Sequence, residues 1–163
     1  RQGLLLATFY ADCVPLLILD PVKKVIANVH AGWKGTAARI GAVALRKMTE
    51  VFGSKPADCL AGIGPSVGPC CYEVDEPVIQ VFRENFAWWS EVMEFSDHNR
   101  AMMNLPEANR KILEDAGVRP DNVEIAQICT KCRQDIRFSH RGSGGTTGRM
   151  GAFIMLRPDP HLK

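Results

Sequence analysis

The stretch Cys13-Val-Pro-Leu-Leu-Ile-Leu-Asp-Pro-Val-Lys-Lys-Val-Ile-Ala-Asn-Val-His30 decides the fold. It holds two apolar runs, 13–19 and 25–30, split by a polar interval. Asp20 and Pro21 mark a turn, because proline presets one backbone angle and an aspartate can accept bonds from its own backbone. Two such runs predict an antiparallel hairpin with Asp20 to Lys23 at its tip. In that register Leu19 faces Lys24, Leu17 faces Ile26 and Cys13 lies opposite His30. Directly opposed residues share a face, with Cβ atoms roughly 4.5–5.5 Å apart. A thiolate and an imidazole so placed can share a metal ion or act as nucleophile and base. A packed cysteine and a structural histidine on an ordinary hairpin would read the same way.

The chain continues as His30-Ala-Gly-Trp-Lys-Gly-Thr36. Gly32 and Gly35 permit a tight strand-to-helix turn and close backbone approach. Thr36 is a suitable N-cap for a helix over 37–52, and Gly53 suits its C-terminal stop. The amides at a helix start attract anions. A metal or thiol centre beside an anion-binding turn is therefore expected here.

Working outward, the 163 residues suffice for one domain, 1–163, with a real core. Apolar content of 46% and charged content of 23% are those of an ordinary globular protein. A net charge of +2 and scattered Lys and Arg argue against a nucleic-acid or membrane partner. No apolar run approaches the roughly 20 residues that span a bilayer. Gly3 to Tyr10 reads as a buried strand that begins almost at once, so an N-terminal portion is expected to precede Arg1. The six cysteines, with Cys70 and Cys71 adjacent, do not resemble a secreted disulfide framework. A reducing, cytoplasmic setting is expected, and the oligomeric state is left open.

Further strands are expected at 4–10, 59–63, 123–128 and 151–156. Helices are expected after Asp75, with Pro77 in the first turn, and over 105–116 between Asn104 and Gly117. Residues 86–103 carry Trp88, Trp89 and Phe95 without a clear period. Mixed elements and an early hairpin imply an α/β (α+β sandwich) fold. Its mixed β-sheets would be covered by helices, unlike a purely parallel Rossmann sheet.

Other segments carry chemistry of their own. Cys129-x-x-Cys132 admits a zinc or redox reading, although structural zinc usually takes four ligands. Lys131 and Arg133 beside it could lower a thiol pKa. The Gly142–Gly148 segment has phosphate-cradle composition without a Walker ending. Arg141 and Arg149 bracket it, and arginine suits bidentate phosphate contact. Asp12 should point to the strand face opposite Cys13. His98 and His161 sit in polar contexts, whereas His140 adjoins Arg141 and the glycines.

Four blocks stand out together: Ala11-Asp-Cys-Val-Pro15, His30-Ala-Gly-Trp-Lys-Gly-Thr36, Ile63-Gly-Pro-Ser-Val-Gly-Pro-Cys-Cys-Tyr-Glu-Val74, and Phe138-Ser-His-Arg141 with Thr147-Gly-Arg-Met150. In order and spacing they resemble the YfiH-type, laccase-domain family, also called the multicopper polyphenol oxidase or peptidoglycan-editing-factor family. The resemblance covers nearly the whole chain. It implies a zinc-dependent purine nucleoside phosphorylase acting on adenosine, inosine and methylthioadenosine, with adenosine deaminase activity. It implies a metal held by one Cys and two His, here Cys13 and His30, with the other His upstream of Arg1. Purine nucleosides and phosphate are the implied partners. Phosphate would rest on amides from Gly32 through Gly35 to Thr36, with Lys34, Arg141 or Arg149 supplying charge. The chain departs from the family at Lys34, where Arg is usual, and at His140-Arg-Gly-Ser143, where Tyr-Arg-Arg-Asp is usual. Rival readings are a Cys13–His30 hydrolase or amidase, copper-dependent phenol oxidation, and a non-catalytic metal-stabilised module. Four histidines make a multicopper cluster hard to build.

Overall fold

In the computed structural model, which describes residues 2–97 and 99–158, a first strand, β1 (Leu5–Tyr10), leads into the hairpin. His98 and His161 lie outside the described residues. The hairpin consists of β2 (Val14–Asp20) and β3 (Val25–Ala31). Its register is shifted by two from the expected one: Val14 pairs with Ala31, Pro15 with His30 and Leu19 with Ile26. Asp20 is the cause. It is the last paired residue, opposite Val25. Its buried carboxylate accepts the amide hydrogens of Val22 and Lys23, each at 2.9 Å. The loop is thus 21–24, with Lys24 in the left-handed region at φ 54°. A shift of two residues leaves every side chain on its expected face, but Cys13 moves from His30 to Gly32.

The single helix expected over 37–52 is two: α1 (Trp33–Ala37) and α2 (Ile40–Phe52). Arg39, at φ 54°, breaks them apart. Its guanidinium donates to the Asn85 carbonyl at 2.7 Å and lies 4.5 Å over the Phe86 ring. Thr36 is not a cap; it is buried inside α1, its hydroxyl accepting from Asn109 Nδ2 at 3.0 Å. Tertiary contacts override local helix preference here. Gly53 ends α2 at φ 70°, as its position predicts.

The chain then forms β4 (Leu60–Ile63), β5 (Glu73–Asp75) and α3 (Glu76–Asn85). The ambiguous stretch resolves into a 3-10 turn at Trp89–Val92 and a second hairpin, β6 (Met93–Asp97) with β7 (Arg100–Met103). Helix α4 (Leu105–Asp115) follows, its Asn104 cap accepting from the Glu107 amide at 3.1 Å. Strands β8 (Val123–Ile125) and β9 (Met150–Met155) complete it. β8 is shorter than the alternation suggested, because the chain leaves the sheet before Gln127, at φ 51°.

Among the described residues three sheets form: β3-β2-β4-β8, β5-β7-β6 and β1-β9. Only the β4–β8 pair is parallel among them. Helices α2 and α4 cover one face of the four-stranded sheet. At Gly41 an added Cβ would stand 3.2 Å from both Leu16 and Leu113, so α2, β2 and α4 meet there without spare room. The β1–β9 ribbon covers the other face. Asn28 fastens it, donating to the carbonyls of Leu6 at 3.1 Å and Ala152 at 2.8 Å and accepting from Thr8 at 2.6 Å. β1 is therefore buried on one side only; outward-facing Phe9 is 58% exposed. Among the described residues no helix is long and apolar enough to cross a membrane.

The Asp20 carboxyl is held below its ordinary value. Burial opposes ionisation, but the nearby Ser54 hydroxyl, the bonds from the Lys23 and Val22 amides and the Lys23 charge outweigh it. Asp20→Ala is expected to lower unfolding free energy by about 1–3 kcal/mol at neutral pH in urea titrations. A group with a depressed folded pKa stabilises above its unfolded value and loses that contribution on acidification. The deficit of the variant should therefore shrink as pH falls below the ordinary 3.8.

Candidate functional site

Cys13 stands one residue before β2, where the hairpin register continues to Gly32. The geometry agrees: a Cβ added to Gly32 would lie 3.0 Å from the Cys13 sulfur. Pro15 shares the face of Cys13 by strand alternation, and His30 is paired with Pro15. Thiol and imidazole thus occupy one face of the hairpin, offset diagonally instead of directly opposed.

Tyr10 joins the two. Its ring packs against the exposed His30 ring at 4.8 Å between centroids. Burial raises the Tyr10 pKa, a Thr8 hydrogen bond works against this, and charge on Cys13 adds to the rise. The Tyr10 hydroxyl bonds to Thr8 and reaches Asn28 Oδ1 at 3.3 Å, tying the site to the residue that fastens the ribbon.

Strand alternation would turn Asp12 to the face opposite Cys13. It is instead buried, at φ 87°. One carboxylate oxygen accepts from the Thr130 hydroxyl at 2.6 Å, the other from the Arg141 amide at 2.7 Å. Its carbonyl accepts from the Val67 amide at 2.9 Å. These bonds offset a backbone conformation that costs about 1–3 kcal/mol in a non-glycine residue. They also place the turn of Cys13 against three distant segments. Burial pushes the Cys13 thiol pKa up, and the neighbouring Asp12 carboxylate adds to it.

A cavity of about 220 Å³ opens beside Cys13, lined by Gly32, Trp33, Lys34, Val67 and Tyr72. A second, of about 520 Å³, shares Trp33 and Tyr72 and adds Arg100 and Arg141. The Arg141 guanidinium lies 4.6 Å over the Tyr72 ring. Lys34 thus borders the cavity beside Cys13 and Arg141 the other one, with Trp33 and Tyr72 common to both. Arg149 is not: its guanidinium donates to the Thr147 and Gly148 carbonyls of its own loop, each at 3.0 Å. Gly35 packs against β3, where a Cβ would stand 3.6 Å from the His30 carbonyl oxygen. The Thr36 amide bonds to the Gly32 carbonyl at 2.8 Å. Exposed His140 sits on the turn before the glycine-dense segment, whose Gly145 amide bonds to the His140 carbonyl at 2.9 Å.

Tyr10 and Tyr72, which border the candidate site, were not singled out by the sequence, although both lie in or beside the matched blocks. A second group of potential ligands lies elsewhere: Cys70, Cys71, Cys129 and Cys132 are gathered closely enough to hold a metal ion.

A family model described as multi-copper polyphenol oxidoreductase laccase matches residues 1–157. The purine nucleoside phosphorylase YlmD of Bacillus subtilis is 37% identical over 96% of this chain and 56% of its own length. The adenosine deaminase RL5 of an unknown prokaryotic organism is 33% identical over 91% of this chain and 56% of its length. The crystal structure of the Bacillus licheniformis hypothetical protein YfiH superposes with a TM-score of 0.94 at 40% identity, covering 96% of this chain and 59% of that one. The chain spans little more than half the length of these proteins. Matched along nearly its whole length, it belongs to the multi-copper polyphenol oxidoreductase laccase family.

Proposed function

We propose that the protein carrying this chain is a metal-assisted purine nucleoside phosphorylase, acting on adenosine, inosine and methylthioadenosine, with adenosine deaminase activity at the same site. The observation that carries the reading is the shared hairpin face of Cys13 and His30 beside a cavity bordered by aromatic and cationic side chains. The names of the relatives point the same way.

The donors suit a zinc ion. A thiol and an imidazole are its preferred protein ligands, and Gly32 leaves the sulfur room that a side chain would take. Cys13 and His30 would hold the ion, with a third ligand drawn, as the family resemblance implies, from a histidine ahead of Arg1. When bound it supplies Lewis acidity for phosphorolysis and for deamination at the purine C6 position. Trp33, which lines both cavities, offers a flat face to the purine. Lys34 and Arg141 supply positive charge for phosphate, and Arg141 is steadied by its stacking on Tyr72. In phosphorolysis a phosphate oxygen bonds to C1′ while the C1′–N9 bond breaks, its electron pair leaving with the purine, which takes up a proton. In deamination water adds at C6 and ammonia departs.

Copper-dependent phenol oxidation is less well supported. Of the four histidines, the described residues include His30 and His140, and these sit on different segments.

Full-length protein incubated with inosine is expected to release hypoxanthine and ribose 1-phosphate only when phosphate is present; release that ignores phosphate would defeat the reading. Gly32→Ala should crowd the Cys13 sulfur and cut kcat/KM about tenfold, since small misplacements in a site are costly. Its unfolding midpoint should change little. Unaltered kinetics in that variant would remove Cys13 from the working site.

A further inference from the structure

The proposed reaction makes no use of Cys70, Cys71, Cys129 and Cys132. Their sulfur atoms come from two tight turns. The first is Gly68–Tyr72, where the Gly68 carbonyl accepts from the Cys71 and Tyr72 amides, each at 3.0 Å. The second follows Ile128, where the Cys129 carbonyl accepts from the Arg133 amide at 3.1 Å. A parallel bridge between Ser66 and Cys129 clamps the turns together. The Thr130 amide donates to the Ser66 carbonyl at 3.0 Å.

The four sulfur atoms lie within 4.8 Å of one another. Cys132 is 3.6 Å from Cys70 and 3.5 Å from Cys71. A zinc ion with sulfur ligands at about 2.3 Å in a tetrahedron sets ligand separations of about 3.8 Å. A disulfide requires about 2.05 Å, and all six cysteines are free thiols. Two further details fit bound thiolates. The Gly68 amide points at the Cys129 sulfur at 3.3 Å, a contact of the kind that orients metal ligands. A Cβ on Gly68 would stand 3.2 Å from the Cys129 Cβ and 3.5 Å from the Cys70 sulfur, so a side chain there would crowd the cluster.

We infer that Cys70, Cys71, Cys129 and Cys132 form a tetrathiolate site for one zinc ion, separate from the Cys13–His30 centre. Four thiolates fill the four positions of a tetrahedral zinc ion and leave none open, so the site is structural. On binding, zinc displaces the thiol protons to solvent, with no change of oxidation state. Its effect on the rest of the molecule is direct. Tyr72 follows Cys71 and lines the Cys13 cavity. Thr130 follows Cys129 and bonds to Asp12. The ion staples together the two segments that brace the Cys13 turn.

The test uses the Cys13→Ser/His30→Ala double variant, in which the hairpin donors are gone, so that failure of the catalytic reading does not touch this one. Purified without chelators, it should retain one zinc per chain by elemental analysis. Loaded with cobalt(II) instead, it should show intense thiolate-to-cobalt charge transfer and the visible bands of a tetrahedral ion. Adding Cys132→Ser should weaken the charge-transfer band and reduce zinc retention. Chelation of the double variant should lower its unfolding temperature, and zinc should restore it, a readout that does not depend on the folding of the triple variant. A double variant that is zinc-free and spectrally silent overturns the proposal. So does titration showing these thiols paired as disulfides, or iron in place of zinc.

Discussion

The buried carboxylate of Asp12 is the interaction on which the candidate site rests. It sits in an unfavourable backbone conformation at the exit of β1 and is held there by Thr130, Arg141 and Val67. Those partners come from three parts of the chain, around residues 67, 130 and 141. Removing one member of such a set leaves buried polar groups unmatched, which costs more than each bond contributes on its own. Cys13 adjoins this anchor, so the position of its sulfur follows from contacts made more than a hundred residues away.

The hairpin could be read from the sequence because its signals are local: two apolar runs and an Asp-Pro turn. Its register was displaced because Asp20 ends the strand and caps the loop, a role that its residue type permits but does not demand. The break at Arg39 had no local sign, since Ala38 and Arg39 are good helix formers. It depends on Asn85, Phe86 and Asn109, which belong to other helices or their ends. Likewise β1 looked buried from its composition, yet its outer face has no covering element among the described residues.

For the site, residue type was more legible than role. Cys13, His30 and Lys34 were singled out by pattern, and the fold draws them toward one end of the hairpin. Arg141 and Arg149 looked equivalent in sequence, since both bracket the glycine-dense segment and both lie in matched blocks. The structure separates them: one stacks on Tyr72, the other folds back on its own loop. The pairing of the Cys70-Cys71 turn with the Cys129 turn was equally invisible, because a bridge between segments some sixty residues apart brings them together.

The pairing of β1 with β9 has a consequence for synthesis on the ribosome. The ribbon pairs Leu5 with Met155 and Tyr10 with Met150, and contacts so distant in sequence form late because a long loop must close before they contribute. Asn28 gains its Ala152 partner only once β9 has emerged. A nascent chain therefore carries the hairpin with its ribbon-side face bare. Translational pausing or truncation near β9 would leave the protein open to capture by chaperones or proteases.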